Sequence, residues 1–88
     1  MEADAELNKI YRRLLEALRT DEQVAVRAAR KDIQESQRLW LAHRDRTCMV
    51  WGNLVSYEVP ACQLQLTKDR AAVLRHLHEC VTQGGDAC

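Results

Sequence analysis

Residues 34–48, QESQRLWLAHRDRTC, decide the fold. Positions three or four apart share one side of a helix. Gln37, Trp40, Arg44 and Cys48 therefore form a stripe, with Leu41 and Asp45 beside it. An all-apolar stripe would be plain core, but this one mixes an indole with groups that need polar partners. Upstream, Val26, Ala29 and Ile33 continue the stripe at the same steps, and no Gly or Pro interrupts until Gly52. The pattern predicts one helix over 21–48, about 42 Å long at roughly 1.5 Å per residue.

Thr20 and Gln23 have the spacing of a capping box, placing the start of that spine near Asp21. Before it, Leu7, Ile10, Tyr11, Leu14 and Leu18 recur at helical spacing, opposite Lys9, Arg12, Arg13, Glu16 and Arg19. This predicts an amphipathic first helix over 4–19, capped by Asp4. Downstream, 49–60 (MVWGNLVSYEVP) loses the helical period. Gly52-Asn53 is turn chemistry, and Pro60 suits the first turn of a helix. An apolar loop is expected there, followed by a third helix over 61–81 with Leu66, Arg70, Val73, Leu74, Leu77 and Val81 inward. A tail at 82–88 begins where Gly84-Gly85 ends any helix. The expected fold is all-α: a single domain over 1–88, an elongated up-down-up arrangement with a long central helix.

The apolar fraction is 47%, with no Phe, one Pro and three Gly, a composition that favours packed helices. Thirteen basic residues balance thirteen acidic ones, so net charge supplies no case for nucleic acid. No apolar run approaches the roughly 18–20 residues that cross a bilayer. No signal peptide opens the chain, which leaves a cytoplasmic protein or one whose leader has been removed. Four cysteines in a short chain point to two bridges in an oxidising compartment, with three pairings open; buried free thiols are the alternative. The nearest-neighbour pairing, Cys48–Cys62 and Cys80–Cys88, is the first choice.

A length comparison adds one expectation. Folded back at Thr20, the first helix reaches only the level of Ile33, while the third covers the spine from Cys48 down to about Ala28. The Trp40 half of the spine would then lack a helix on one side, to be covered by the 49–60 loop or by a partner.

The chain resembles the LprI-type lysozyme-inhibitor family, small helical domains of bacterial envelope proteins. The resemblance rests on Leu7-Asn8-x-x-Tyr11, on Gln37-x-x-Trp40-Leu41-x-x-Arg44-Asp45-x-x-Cys48, and on Cys62-x-x-x-x-Thr67-x-x-Arg70-x-x-x-Leu74. Gln63 departs from the family's usual aliphatic residue, the cysteine-bearing segment that often precedes the first helix is missing, and the Cys80 and Cys88 tail lies outside the shared pattern. The resemblance implies a periplasmic or cell-surface location, strengthens the Cys48–Cys62 bridge, and implies binding and inhibition of a lysozyme. That bridge would close a loop of about 15 residues and add roughly 3 kcal/mol.

Two constellations are candidates for function. Arg44, Asp45, Thr67 and Arg70, with Gln37 and Trp40, would form a polar network between the second and third helices. Thr67 would lie level with Arg44, and Arg70 with Trp40. Such a network sets helix register when its members satisfy one another, and binds a partner when they do not. In the expected loop, Trp51, Leu54 and Tyr57, with Glu58 as the single acid, would offer a surface of the type that anchors protein interfaces. A balanced charge does not favour a basic lysozyme as target. The rival expectation is an envelope assembly module that homodimerises or docks through the Trp40 half. His76, His78 and Cys80 lack a recognised zinc spacing, so no metal or cofactor is expected. Without a phosphate loop, nucleophile elbow or paired-acid motif, neither is an enzyme.

Overall fold

The computed structural model describes residues 2–19, 23–55, 58–84 and 88. They form three helices, α1 (Glu2–Ala17), α2 (Val24–Leu54) and α3 (Val59–Gln83), and no strand. The extents are 49 × 21 × 21 Å and the radius of gyration is 15.0 Å. A compact domain of this length would have a radius near 12 Å. The molecule is therefore a rod, and α2 runs its length.

In α1, Leu7, Ile10 and Leu14 are buried, as is Leu18 just past its end, and Tyr11 is half-buried, while Lys9, Arg12, Arg13 and Glu16 face solvent. The helix begins at Glu2, two residues before the expected cap. Asp4 thus sits inside the first turn with Glu2, where acidic groups oppose the positive end of the helix dipole. Its carboxylate is taken by Arg44 rather than by the helix's own N–H groups.

The start of α2 is also displaced, from the expected Asp21 to Val24. Gln23 takes the cap position in extended conformation, without a side-chain cap bond. Its carbonyl accepts the N–H groups of Val26 and Arg27 at 3.1 Å. The expected cap at Thr20, with Asp21 and Glu22, lies outside the described residues.

The largest correction is at the other end of α2. The expected 49–60 loop is mostly helix, because α2 continues through Gly52 and Asn53 to Leu54. Gly52 marks a close approach instead of a turn. A Cβ at this position would stand 2.7 Å from Cγ2 of Val59, where α3 begins. Reversal is confined to the stretch after Leu54: Val55 leaves the helix with its N–H on the Trp51 carbonyl at 2.6 Å, and Glu58 donates its N–H to Val55 at 2.9 Å. Pro60 falls in the first turn of α3, where its missing N–H costs nothing.

α3 buries Thr67, Ala71 and Leu74, with Leu66, Arg70 and Leu77 half-buried. Val73 and Val81, expected inward, are exposed. The buried face follows Thr67–Ala71–Leu74, and Val73 lies about 100° round the helix from Leu74. Gly84, at φ 65°, ends the helix with its N–H on the Cys80 carbonyl at 2.9 Å. Positive φ suits a residue without a Cβ.

α1 packs chiefly on α3 and touches α2 more lightly. The small Ala71 lets α1 approach closely, so Leu7, Ile10, Leu14 and Leu18 close over Ala71 and Leu74. Burying a leucine as fully as Leu14 or Leu74 contributes about 2–3 kcal/mol. From α2, Val26, Ile33 and Trp40 pack against this cluster without being fully buried.

The register of α1 narrows the expected uncovered Trp40 half to a groove between α1 and α2. Arg30 Nε donates to the Leu15 carbonyl at 3.4 Å, and Arg44 reaches Asp4 at 2.9 Å. α1 therefore extends to Arg44 rather than stopping at Ile33. α1 ends at Ala17 and α2 starts at Val24. Long helical side chains also lean toward the N-terminus, carrying the Arg44 guanidinium back to Asp4.

Candidate functional site

The predicted polar network assembles as a clasp joining all three helices. Arg44 Nη1 donates to Asp4 Oδ1 on α1 at 2.9 Å and to Thr67 Oγ1 on α3 at 3.2 Å. Its Nε and Nη2 reach Asp45 Oδ1 at 3.0 Å. Thr67, fully buried, donates its hydroxyl to the Gln63 carbonyl one turn earlier at 2.6 Å. Arg70 Nε donates to Gln37 Oε1, and its Nη2 to Ser36 Oγ, both at 2.9 Å. Both guanidinium carbons lie over the Trp40 ring, Arg44 at 5.4 Å and Arg70 at 6.0 Å from its centroid. That distance permits attraction between cation and aromatic quadrupole.

Thr67 thus meets Arg44 and Arg70 meets Trp40, and the six sequence candidates gather in one place. Two participants escaped the sequence reading. Asp4 contributes from forty residues away, a distance that periodicity cannot bridge. Ser36 adjoins Gln37 and precedes Trp40 by four, a spacing that could have flagged it.

The two arginines differ. The Arg44 side chain is 12% exposed and has two carboxylates, whereas Arg70 has neutral acceptors and the indole, with no paired carboxylate among the described residues. Partial burial moves the Arg70 pKa below the ordinary arginine value by desolvating its charged form. Arginine remains charged nonetheless. Among the described residues, no buried side-chain polar atom lacks a partner. A network satisfied this way fixes helix register.

The second candidate surface lies beyond α1, at the bridged end of the rod. Cys48 is fully buried and bonded to Cys62, with Cα atoms 5.6 Å apart, fastening α2 to α3. Past it, Met49, Val50, Trp51 and Leu54 project from the last turns of α2, between 49% and 73% exposed. Met49 and Val50 join Trp51 and Leu54 because this segment is helical, a continuation that Gly52-Asn53 concealed. Glu58 is half-buried and borders a shallow groove of about 390 Å³ with Trp51, Ala61, Cys62, Gln65 and Leu66. Tyr57 lies outside the described residues.

Cys80 is bonded to Cys88, so it is not a free thiolate beside His76 and His78. Among the described residues no three His, Cys, Asp or Glu side chains gather as a metal site. No helix of the described residues is long and apolar enough to cross a membrane.

Three helices, two bridges and a clasp around one tryptophan define a small, disulfide-stapled, all-helical domain. The chain belongs to the LprI family: residues 1–74 match the family described as "Lysozyme inhibitor LprI". It is also 34% identical over 89 residues to "Uncharacterized protein R02472" of Rhizobium meliloti (strain 1021). That alignment covers 88% of this chain and 64% of the relative, so the chain spans about two-thirds of the relative's length. No solved structure matches the chain.

Proposed function

We propose that this chain is an exported, non-enzymatic binding protein that inhibits a lysozyme through the helical tip beyond Cys48. Family membership supports the class of target, and two disulfides suit an oxidising location such as the periplasm or cell surface. The observation that carries the reading is the exposure of Met49, Val50, Trp51 and Leu54 on one rigid, bridged end. Large apolar side chains clustered this way mark interaction surfaces. A preformed helix also loses less conformational entropy on binding than a loop would.

Inhibition assays against a lysozyme panel test this reading. Trp51→Ala and Leu54→Ser should each weaken inhibition about tenfold or more, as interface anchors do, with unchanged helical circular dichroism. Because the chain has no net charge, inhibition should depend only weakly on salt. Full inhibition by both variants removes the tip from the account. The rival assembly reading loses part of its ground, since α1 reaches the level of Arg44 and leaves only a groove beside Trp40. Concentration-dependent dimers abolished by Trp51→Ala would restore it at the tip.

A further inference from the structure

The shallow groove at the tip has Trp51, Glu58 and Gln65 along it, and the apolar side chains of the tip leave the chemistry of the last two unused. Glu58 is the one charged residue between Thr47 and Thr67, in a chain with thirteen acidic and thirteen basic residues. Among the described residues it forms no ion pair and no side-chain hydrogen bond. Gln65 donates an amide N–H to Asp69 at 2.9 Å, which leaves its Oε1 as an acceptor. The groove thus sets a carboxylate and an amide oxygen beside an indole whose residue is 49% exposed.

The same three kinds of group already hold guanidinium ions elsewhere in this molecule. Arg44 lies over the Trp40 ring and donates to the carboxylates of Asp4 and Asp45. Arg70 lies over that ring and donates to Gln37 Oε1. A planar guanidinium suits this set because it stacks on an aromatic face while its N–H fork meets carboxylate or amide oxygens. Trp51, Glu58 and Gln65 repeat the set at the tip. The neighbouring charges do not oppose a cation there. Asp69, beside Gln65, has the same sign as Glu58. Arg44 is paired with Asp4 and Asp45, and Lys68 lines the hollow between α1 and α3 instead. Arg46 stands five residues before Trp51, about 140° away round α2.

We propose that the tip groove takes an arginine side chain of the protein partner, its guanidinium seated on Trp51 with N–H groups on the Glu58 carboxylate and Gln65 Oε1. The inference rests on the tip reading and deepens it, naming the residue type that the partner presents to this end of the rod. Cation–aromatic attraction and the ion pair act together at such a site. The bridge between Cys48 and Cys62 holds the two helices that carry these groups, so little ordering is needed when the arginine enters.

The test is an NMR titration of the nitrogen-15-labelled full chain with N-acetyl-arginine methylamide. It is read at the two indole N–H signals, with Trp51→Phe identifying that of Trp51. The expected result is a saturable shift of the Trp51 signal while that of Trp40 stays in place. Glu58→Gln should weaken this binding about fivefold, as loss of a part-exposed ion pair does. Lys68→Gln, on the α1 side of α3, should leave it unchanged. No shift, an equal shift with the uncharged norleucine analogue, or unaltered binding by Glu58→Gln overturns the proposal. An equal shift with chitotriose also overturns it, in favour of a sugar site. No lysozyme enters this titration, so its failure removes the arginine and leaves the tip reading standing. Failure of the tip reading shows instead as full inhibition by Trp51→Ala and Leu54→Ser.

Discussion

Arg44 of the central helix holds Asp4, forty residues earlier in the chain, at 2.9 Å while also donating to Thr67 on α3. One nearly buried guanidinium therefore fixes the positions of three helices. Its loss and the loss of Asp4 are not equivalent, because the Asp4 side chain is 42% exposed and can return to water. Arg44→Ala should cost about 2–4 kcal/mol, since it leaves buried Thr67 short of a partner and removes the cation over Trp40. Asp4→Asn should cost about 0.5–1 kcal/mol, in the range of exposed ion pairs. Urea denaturation compares the two, and equal small losses would show that the clasp does not set the register.

Gly52 and Val59 make the second prediction. Gly52→Ala gains up to about 1 kcal/mol of helix propensity. The new Cβ, however, meets the stiff Val59 side chain at 2.7 Å. Overpacking of this kind costs about 1–3 kcal/mol, so the net change should be destabilising. Adding Val59→Ala removes the clash, and the double variant should be more stable than the sum of the singles by about 1 kcal/mol. Strict additivity would mean that the helices part freely here.

The two bridges should differ in accessibility. Cys48 is fully buried, whereas Cys88 is exposed. Mild dithiothreitol followed by alkylation and mass spectrometry should label Cys80 and Cys88 first. Cys48→Ser with Cys62→Ser should cost about 3 kcal/mol from the closed loop alone, with a further loss from placing a hydroxyl in the core. Early labelling of Cys48 would show that the tip opens readily.

Acid titration gives a fourth prediction. Glu35 is hydrogen-bonded to Arg38, which holds its carboxyl below the ordinary value of 4.5. A depressed folded-state pKa favours the fold above the unfolded value, and that contribution fades as pH falls through the folded one. Both groups are exposed, so the visible effect is on the titration rather than on global stability. Carboxyl NMR should place the Glu35 midpoint below 4.5, and Arg38→Ala should return it upward. An unchanged midpoint in the variant would mean that the pair does not persist in solution.

The sequence alone determined that the chain is three helices, which α1 residues face inward, and that Gln37, Trp40, Arg44, Asp45, Thr67 and Arg70 belong together. These follow from local periodicity, and from the register implied by placing Cys48 and Cys62 at one end of a hairpin. What lay beyond it were facts set by contacts between distant segments. Gly52-Asn53 reads as a turn until Val59 is seen against Gly52. Asp4 reads as a cap until Arg44 reaches it, and Val73 reads as core until α1 settles over Ala71 and Leu74. Only the tertiary structure decided where α1 ends against α2, that the apolar tip is helical, and that a groove lies beside Trp40. Helical period names the face of each helix. Which neighbour meets that face, and at what level, depends on close packing and on the reach of long side chains.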